Sequence, residues 1–283
     1  MRQLTAHILR LLYSAYVPEP VRNSLRLQLL LLRRDVEPAR SDAPQGRIIV
    51  LAPHMDDEVF GCGGTLALSA KRGNSVTVVY ITDGSKGYPA SAMAGKSTTE
   101  VREAERQLSA RRKEEGRRAA TILGLETPVC LDLPDAALAV TSEAVARLAS
   151  VLTSLTPEIV FLPFLTDLHH DHWLTNCLFV EAAAAANMDA RVPCWGYEVW
   201  NPVVANVVVD VTDVYPAKLA AISEFESQRA EYDYLRGIVG LNTYRSLLRG
   251  RGHGYAEAFH VGELGVYRRL YEQIVIRRLG GRP

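Results

Sequence analysis

The stretch Ile48-Ile49-Val50-Leu51-Ala52-Pro53-His54-Met55-Asp56-Asp57-Glu58 joins an unbroken apolar run to a cluster of acids around one histidine. Five apolar residues without a polar break read as a strand buried on both faces, as in a parallel sheet. Such a strand delivers the loop after it to one edge of the sheet, where a His and carboxylates can be aimed at a single point. A second stretch repeats the arrangement. Ile159-Val160-Phe161-Leu162-Pro163 precedes His169-His170-Asp171-His172, which puts three of the seven histidines within four positions. Either cluster alone reads as caps and turns, but a packed region does not hold this density of imidazole without partners. The two strand ends are therefore predicted to share one site.

Outward from these strands the pattern is β/α repetition. Strands are predicted at 47–52, 75–82, near 129–131 and at 159–163, and helices at 63–72, 99–123, 142–155 and from 172 to about 187. This is an α/β chain with a Rossmann-like, mostly parallel sheet flanked by helices, and such sheets bind ligands beyond the carboxyl ends of their strands. After residue 190 strands are expected at 195–200, 203–211 and 255–261, with helices at 215–228, 243–249 and 266–279. Gly61-Cys62-Gly63-Gly64-Thr65 is near a dinucleotide loop in composition but lacks the G-x-G-x-x-G spacing. Its glycines are read instead as letting a helix start close behind the first cluster.

Residues 1–45 are set apart as an N-terminal amphipathic helical extension, and 46–283 as the domain. Leu4, Ile8, Leu11 and Leu12, then Leu25, Leu29 and Leu32, have helical spacing on either side of Pro18-Glu19-Pro20. Packing on the domain or on a second subunit is the expected use of such stripes. Peripheral membrane contact through residues 1–34 is the alternative, since Arg10, Arg22, Arg26, Arg33 and Arg34 suit anionic lipid. A homo-oligomer is expected.

At 283 residues and 48% hydrophobic, the chain can bury one sizeable core. Its formal net charge is zero, which argues against nucleic acid as a partner. Cys62, Cys130, Cys177 and Cys194 form no C-x-x-C pair and read as reduced packing residues. No stretch is apolar enough to span a bilayer and none reads as a signal peptide, so a cytoplasmic location is expected.

Imidazole and carboxylate together suit Zn²⁺ or a similar divalent ion, one per chain. Three protein ligands leave a position for water, whose pKa falls on binding. Amide hydrolysis then needs a base for that water and an acid for the leaving nitrogen. On this chemistry His54, Asp57 and His172 are the expected ligands, Asp56 the base, and His169 the acid and oxyanion partner. Asp171 is expected to fix a ring tautomer by hydrogen bonding.

P-H-x-D-D-E after a strand, the following G-x-G-G-T, Thr82-Asp83-Gly84, and H-x-D-H after a later strand resemble the LmbE-like, PIG-L family of zinc-dependent N-deacetylases. The resemblance runs over residues 47–262 and includes Leu133-Pro134-Asp135, Tyr197-Glu198-Val199-Trp200, Ser227-Gln228 and Tyr255-Ala256-Glu257-Ala258-Phe259. It implies a Rossmann-like fold and removal of acetyl from an N-acetylglucosaminyl group in a glycan, glycolipid or secondary-metabolite intermediate. His54, Asp57 and His172 match the family's zinc ligands, Asp56 its general base and His169 its general acid. Arg112 and Asp135 match positions that hold sugar hydroxyls; their ordinary readings are a solvated helix charge and a turn residue. Met55 and His170 stand where the family most often has proline, and His170 is expected to turn away from the metal. His253 is read as a surface-loop residue. The alternatives are hydrolysis of another amide or ester by the same site, and non-catalytic sugar binding on the same fold.

Overall fold

The computed structural model describes residues 37–88, 90–228, 233–248 and 252–278. The two helices expected within residues 1–34 lie outside them. The strands are β1 (Ala39–Ser41), β2 (Ile48–Ala52), β3 (Val76–Thr82), β4 (Val129–Leu133), β5 (Ile159–Pro163), β6 (Pro193–Tyr197), β7 (Val207–Asp210) and β8 (Ala256–Glu263). The helices are α1 (Asp57–Lys71), α2 (Ala90–Met93), α3 (Thr98–Leu123), α4 (Ser142–Leu155), α5 (His170–Ala185), α6 (Tyr215–Ser223), α7 (Tyr234–Ser246) and α8 (Leu264–Arg278).

The strands form one sheet in the order β1-β7-β8-β6-β5-β2-β3-β4, parallel except for β8. From the β2/β5 boundary the chain order runs outward in both directions, to β3 and β4 on one side and to β6 on the other. That boundary is the switch point where a doubly wound sheet opens a crevice at its carboxyl edge. Both histidine clusters emerge there. Successive strand residues face opposite layers. Ile49, Leu51, Val160 and Leu162 pack with Leu148, Leu152, Leu178 and Tyr267 on one face, while Ile48, Val50, Tyr80 and Phe161 pack with Val59, Leu66, Leu123 and Ile222 on the other. Among the described residues no helix is long and apolar enough to cross a membrane.

Helix α3 has clear end signals. Ser97 and Glu100 form a capping box, and Gly124 closes the helix at φ 73°. Elsewhere the boundaries shift. Helix α1 begins at Asp57 rather than near residue 63, so the glycine run lies inside it. Interior glycine lowers helix propensity and hid the start; its use here is close packing, since a Cβ on Gly64 would lie 2.7 Å from the Val211 side chain. Helix α7 begins nine residues before the expected 243, because Asp233 caps it by accepting from Arg236 N at 3.1 Å, while Gly237 and Gly240 obscured its period. The expected helix over 215–228 ends at Ser223 and a 3₁₀ turn follows at Glu226–Gln228. Strand β1 pairs with β7 in register Ala39↔Val207 to Ser41↔Val209, so the sheet takes in residues from the segment set apart as an extension.

Candidate active site

The loop after β2 is fixed before any functional group is placed. Thr82 donates to the Pro53 carbonyl through its backbone N (3.0 Å) and its hydroxyl (2.8 Å). Asp56 then occupies the position before α1 with φ 143° and ψ −30° and makes no side-chain capping bond, a conformation that costs a non-glycine residue free energy and recurs at functional sites. Glu58 holds it there. Its Oε2 accepts from Asp56 N at 3.3 Å, and its Oε1 accepts from the Tyr80 hydroxyl at 2.6 Å. Burial pushes the Glu58 carboxyl up to about 8.

Asp57 occupies the first turn of α1, where the helix dipole favours a carboxylate. Its Oδ2 accepts from His54 N at 2.8 Å and also faces His54 Nδ1 at 3.3 Å and His172 Nε2 at 3.2 Å. Each imidazole has its other nitrogen against a different carboxylate. His54 Nε2 lies 3.2 Å from both Asp135 Oδ1 and Asp171 Oδ2, and His172 Nδ1 lies 3.3 Å from Asp167 Oδ1. Two rings converge on one oxygen from the front while carboxylates orient them from behind, as around metal-binding histidines.

The fit to a cation can be tested on hydrogen bonding. His172 is fully buried, yet neither ring nitrogen makes a well-aligned hydrogen bond, and Asp171 Oδ1 is also without a partner. Buried polar atoms are rarely left so. The donor set of two imidazoles and a carboxylate therefore fits a divalent ion. Among the described residues the triplets whose ligand atoms all lie within 4.8 Å of one another are His54/His169/His172 and His54/Asp135/Asp171, neither of which includes Asp57. We favour the set containing Asp57, because its Oδ2 is the atom both rings face.

Among themselves the two imidazoles favour their protonated forms and Asp57 its ionised one. Burial works against a charge on His172, but Asp57 and Asp167 outweigh it and raise the ring to about 9. Burial likewise opposes ionisation of Asp57, and His172 and His54 overcome it, holding the carboxyl well below its usual range. Asp56 differs. Burial lifts it to about 7, with Arg112 as the main opposing influence.

Arg112 reaches this loop from the middle of α3. It is buried and donates to the carbonyls of Met55 and Gly84, both at 3.3 Å, and approaches Asp56 Oδ2 at 3.5 Å. It is no solvated helix charge. Asp135 follows β4 and accepts from Lys86 N at 2.8 Å while facing His54, which gives it more than a turn residue's role. Asp171 accepts from Ala136 N at 3.0 Å as well as lying against His54.

His169 caps α5, its Nδ1 accepting from Asp171 N at 3.3 Å. The ring proton is thereby left on Nε2. Burial and the neighbouring His54 and His172 lower its pKa. His170 is exposed. His253 is exposed and lines a separate depression with Arg40, Asp42 and Asp210. His54, Asp56, Asp57, Arg112, Asp135 and His169 all line one cavity of about 650 Å³.

Sequence reading overlooked Asp167. It orients His172, accepts from His169 N at 3.0 Å, and accepts from Trp200 N at 3.1 Å. Its signal was an Asp two residues before a His in a strand-end loop, the pattern of a side chain closing its own turn.

Residues 49–183 match the family described as PIG-L: GlcNAc-PI de-N-acetylase. Over 236 residues the chain is 30% identical to a diacetylchitobiose deacetylase of Thermococcus kodakarensis, covering 75% of this chain and 81% of that relative. It is 27% identical to a 4-oxalmesaconate hydratase of Pseudomonas putida, over 75% of this chain and 89% of the relative. The fold is also that of the N,N'-diacetylchitobiose deacetylase of Pyrococcus horikoshii, with a TM-score of 0.65 at 22% identity over 87% of this chain and 92% of that one.

Proposed function

Since the chain belongs to the PIG-L family, with a relative named as a deacetylase, we propose that it removes the N-acetyl group from an N-acetylglucosamine-type amino sugar. The sugar would be carried by a glycan, glycolipid or secondary-metabolite intermediate. The observation that carries this reading is the convergence of His54 Nδ1 and His172 Nε2 on Asp57 Oδ2, with Asp56 and His169 on the wall of the same cavity.

His54, Asp57 and His172 are the proposed ligands of one divalent ion, Zn²⁺ by the chemistry of the donor set. Such an ion supplies a Lewis acid for the amide carbonyl and makes water easier to deprotonate. Asp56, as carboxylate, takes a proton from the attacking water as its oxygen bonds to the carbonyl carbon. Arg112 at 3.5 Å favours the ionised form of Asp56, against the burial that resists it. In its imidazolium form His169 gives the Nε2 proton to the nitrogen as the carbon–nitrogen bond breaks and reverts to the neutral ring, and Asp56 releases the proton it took, so acetate and a free amine leave. Asp171 and Asp167 keep the His54 and His172 rings oriented. Arg112 and Asp135 are proposed to hold sugar hydroxyls. Residues 1–34 are proposed to dock on the domain or on a second copy, and co-sedimentation with anionic vesicles at low and high salt tests this against membrane contact.

The test is release of acetate and amine from a panel of N-acetylated sugars, with metal removed and then added back. Metal-dependent release from at least one sugar is expected. Release from simple amides or esters but no sugar would favour the broader hydrolase. Water addition to a conjugated acid would favour a hydratase like the Pseudomonas relative, and sugar binding without turnover a binding protein.

A further inference from the structure

The cavity has two unlike walls. One is polar: Asp56, Arg112, Asp135, Lys86 and Gln228 line it, and a Cβ on Gly87 would lie 3.0 Å from both Arg112 and Gln228 nitrogens. The other group of lining residues is aromatic and aliphatic. It starts at His169, whose ring lies 6.4 Å from Trp200 at an interplanar angle of 20°. From Trp200 it continues to Tyr234 at 6.0 Å, and from Tyr234 to Phe60 at 5.3 Å. Val199, Pro202, Ile238 and Leu241 complete it. These separations suit aromatic packing. Trp200 remains 47% exposed, a large apolar surface beside a catalytic cluster, where solvent-facing indole is more often used than tolerated.

An amino sugar with nitrogen on C2 has C1 and C3 on either side of that atom. If His169 serves the leaving nitrogen, C2 lies against His169. With the C3 hydroxyl toward Asp135 and Arg112, the C1 substituent is directed at Trp200. We propose that the Trp200–Tyr234–Phe60 wall is a subsite for an apolar aglycone, an alkyl or aryl group joined at C1 of the N-acetylated sugar. This rests on the deacetylase reading. It assigns what that reading leaves open, the chemistry of the group the sugar carries.

The experiment compares methyl, phenyl and octyl 2-acetamido-2-deoxyglucosides with the metal-loaded protein, alongside methyl glycosides whose N-acyl group is lengthened to hexanoyl. The octyl compound should exceed the methyl one in kcat/KM by about tenfold or more, through KM, as expected for added apolar contact that does not change during reaction. Trp200→Ala, at an exposed position, and Leu241→Ser should each narrow the octyl-to-methyl ratio toward one. Turnover of all glycosides at equal efficiency, or an unaltered ratio in both variants, would overturn the subsite. Preference for the hexanoyl amide without preference for the octyl aglycone would assign the wall to the acyl group and overturn it too. Calorimetric titration of octyl 2-amino-2-deoxyglucoside separates this inference from the reading beneath it. Binding weakened by Trp200→Ala with no turnover of any amide would keep the apolar wall and remove deacetylation.

Discussion

Two clusters of buried charge lie along helix α1, one at its amino end and one against its middle, and they differ in how completely they are paired. Against the middle of the helix, Lys218 and Glu257 meet at 2.6 Å with both side chains fully buried. Glu257 also accepts from Gly64 N (2.8 Å), Thr65 N (2.7 Å) and the Thr65 hydroxyl (2.6 Å), and Lys218 donates to the Phe60 carbonyl (2.9 Å) and Asn242 (3.0 Å). At the amino end of the same helix, His172 and Asp171 retain buried polar atoms without partners. A buried ion pair stabilises only when its remaining donors and acceptors are met from within. The first cluster meets that condition and serves the fold. The second does not, and fits a group brought from outside.

That contrast can be broken most decisively at the proposed ligands. Asp57→Ala or His172→Ala should remove metal binding and reduce deacetylation to background, while changing the stability of the metal-free protein far less than a lesion at Glu257. Metal content by atomic spectroscopy and urea unfolding of both forms test this, and full metal content in His172→Ala would take His172 out of the ligand set. Next, Asp56→Asn should keep metal and lower turnover by about two to four orders of magnitude, the usual worth of a positioned base. A wild-type rate in that variant would exclude Asp56 as the base.

Glu257→Ala should cost about 3–5 kcal/mol of unfolding free energy, because it leaves the Lys218 charge buried and unpaired. If it abolished turnover without loss of stability, the division between a cluster for folding and a cluster for chemistry would fail. Asp167→Asn sharpens the comparison at the other cluster. By loosening the ring of His172 it should weaken metal binding by about 10- to 100-fold while leaving the protein folded. Competition with a chelating dye gives the affinity. The smallest effect belongs to His170, which is exposed; His170→Ala should stay within about 0.5 kcal/mol in stability and leave metal content unchanged. Loss of metal in that variant would mean that the register taken from H-x-D-H is wrong.

The chain itself determined that strands β2 and β5 exist and that two clusters follow them. An unbroken apolar run can be satisfied only between two packed layers, and the acids and imidazoles after each run are consecutive. The parallel sheet, the long helix α3 and the meeting of His54, Asp57 and His172 were legible for that reason. The glycine run concealed the start of α1, because low propensity at Gly61, Gly63 and Gly64 masks a helix whose close packing on β6 and Val211 demands those residues. Asp167, Glu58 with Tyr80, and Lys218 with Glu257 could not be paired in advance. Their partners are brought together by the sheet order and by helices crossing it, and no local spacing encodes that. The two walls of the cavity were decided in the same way. Trp200, Tyr234 and Phe60 come from three separate parts of the chain, and only the tertiary structure sets them side by side next to His169.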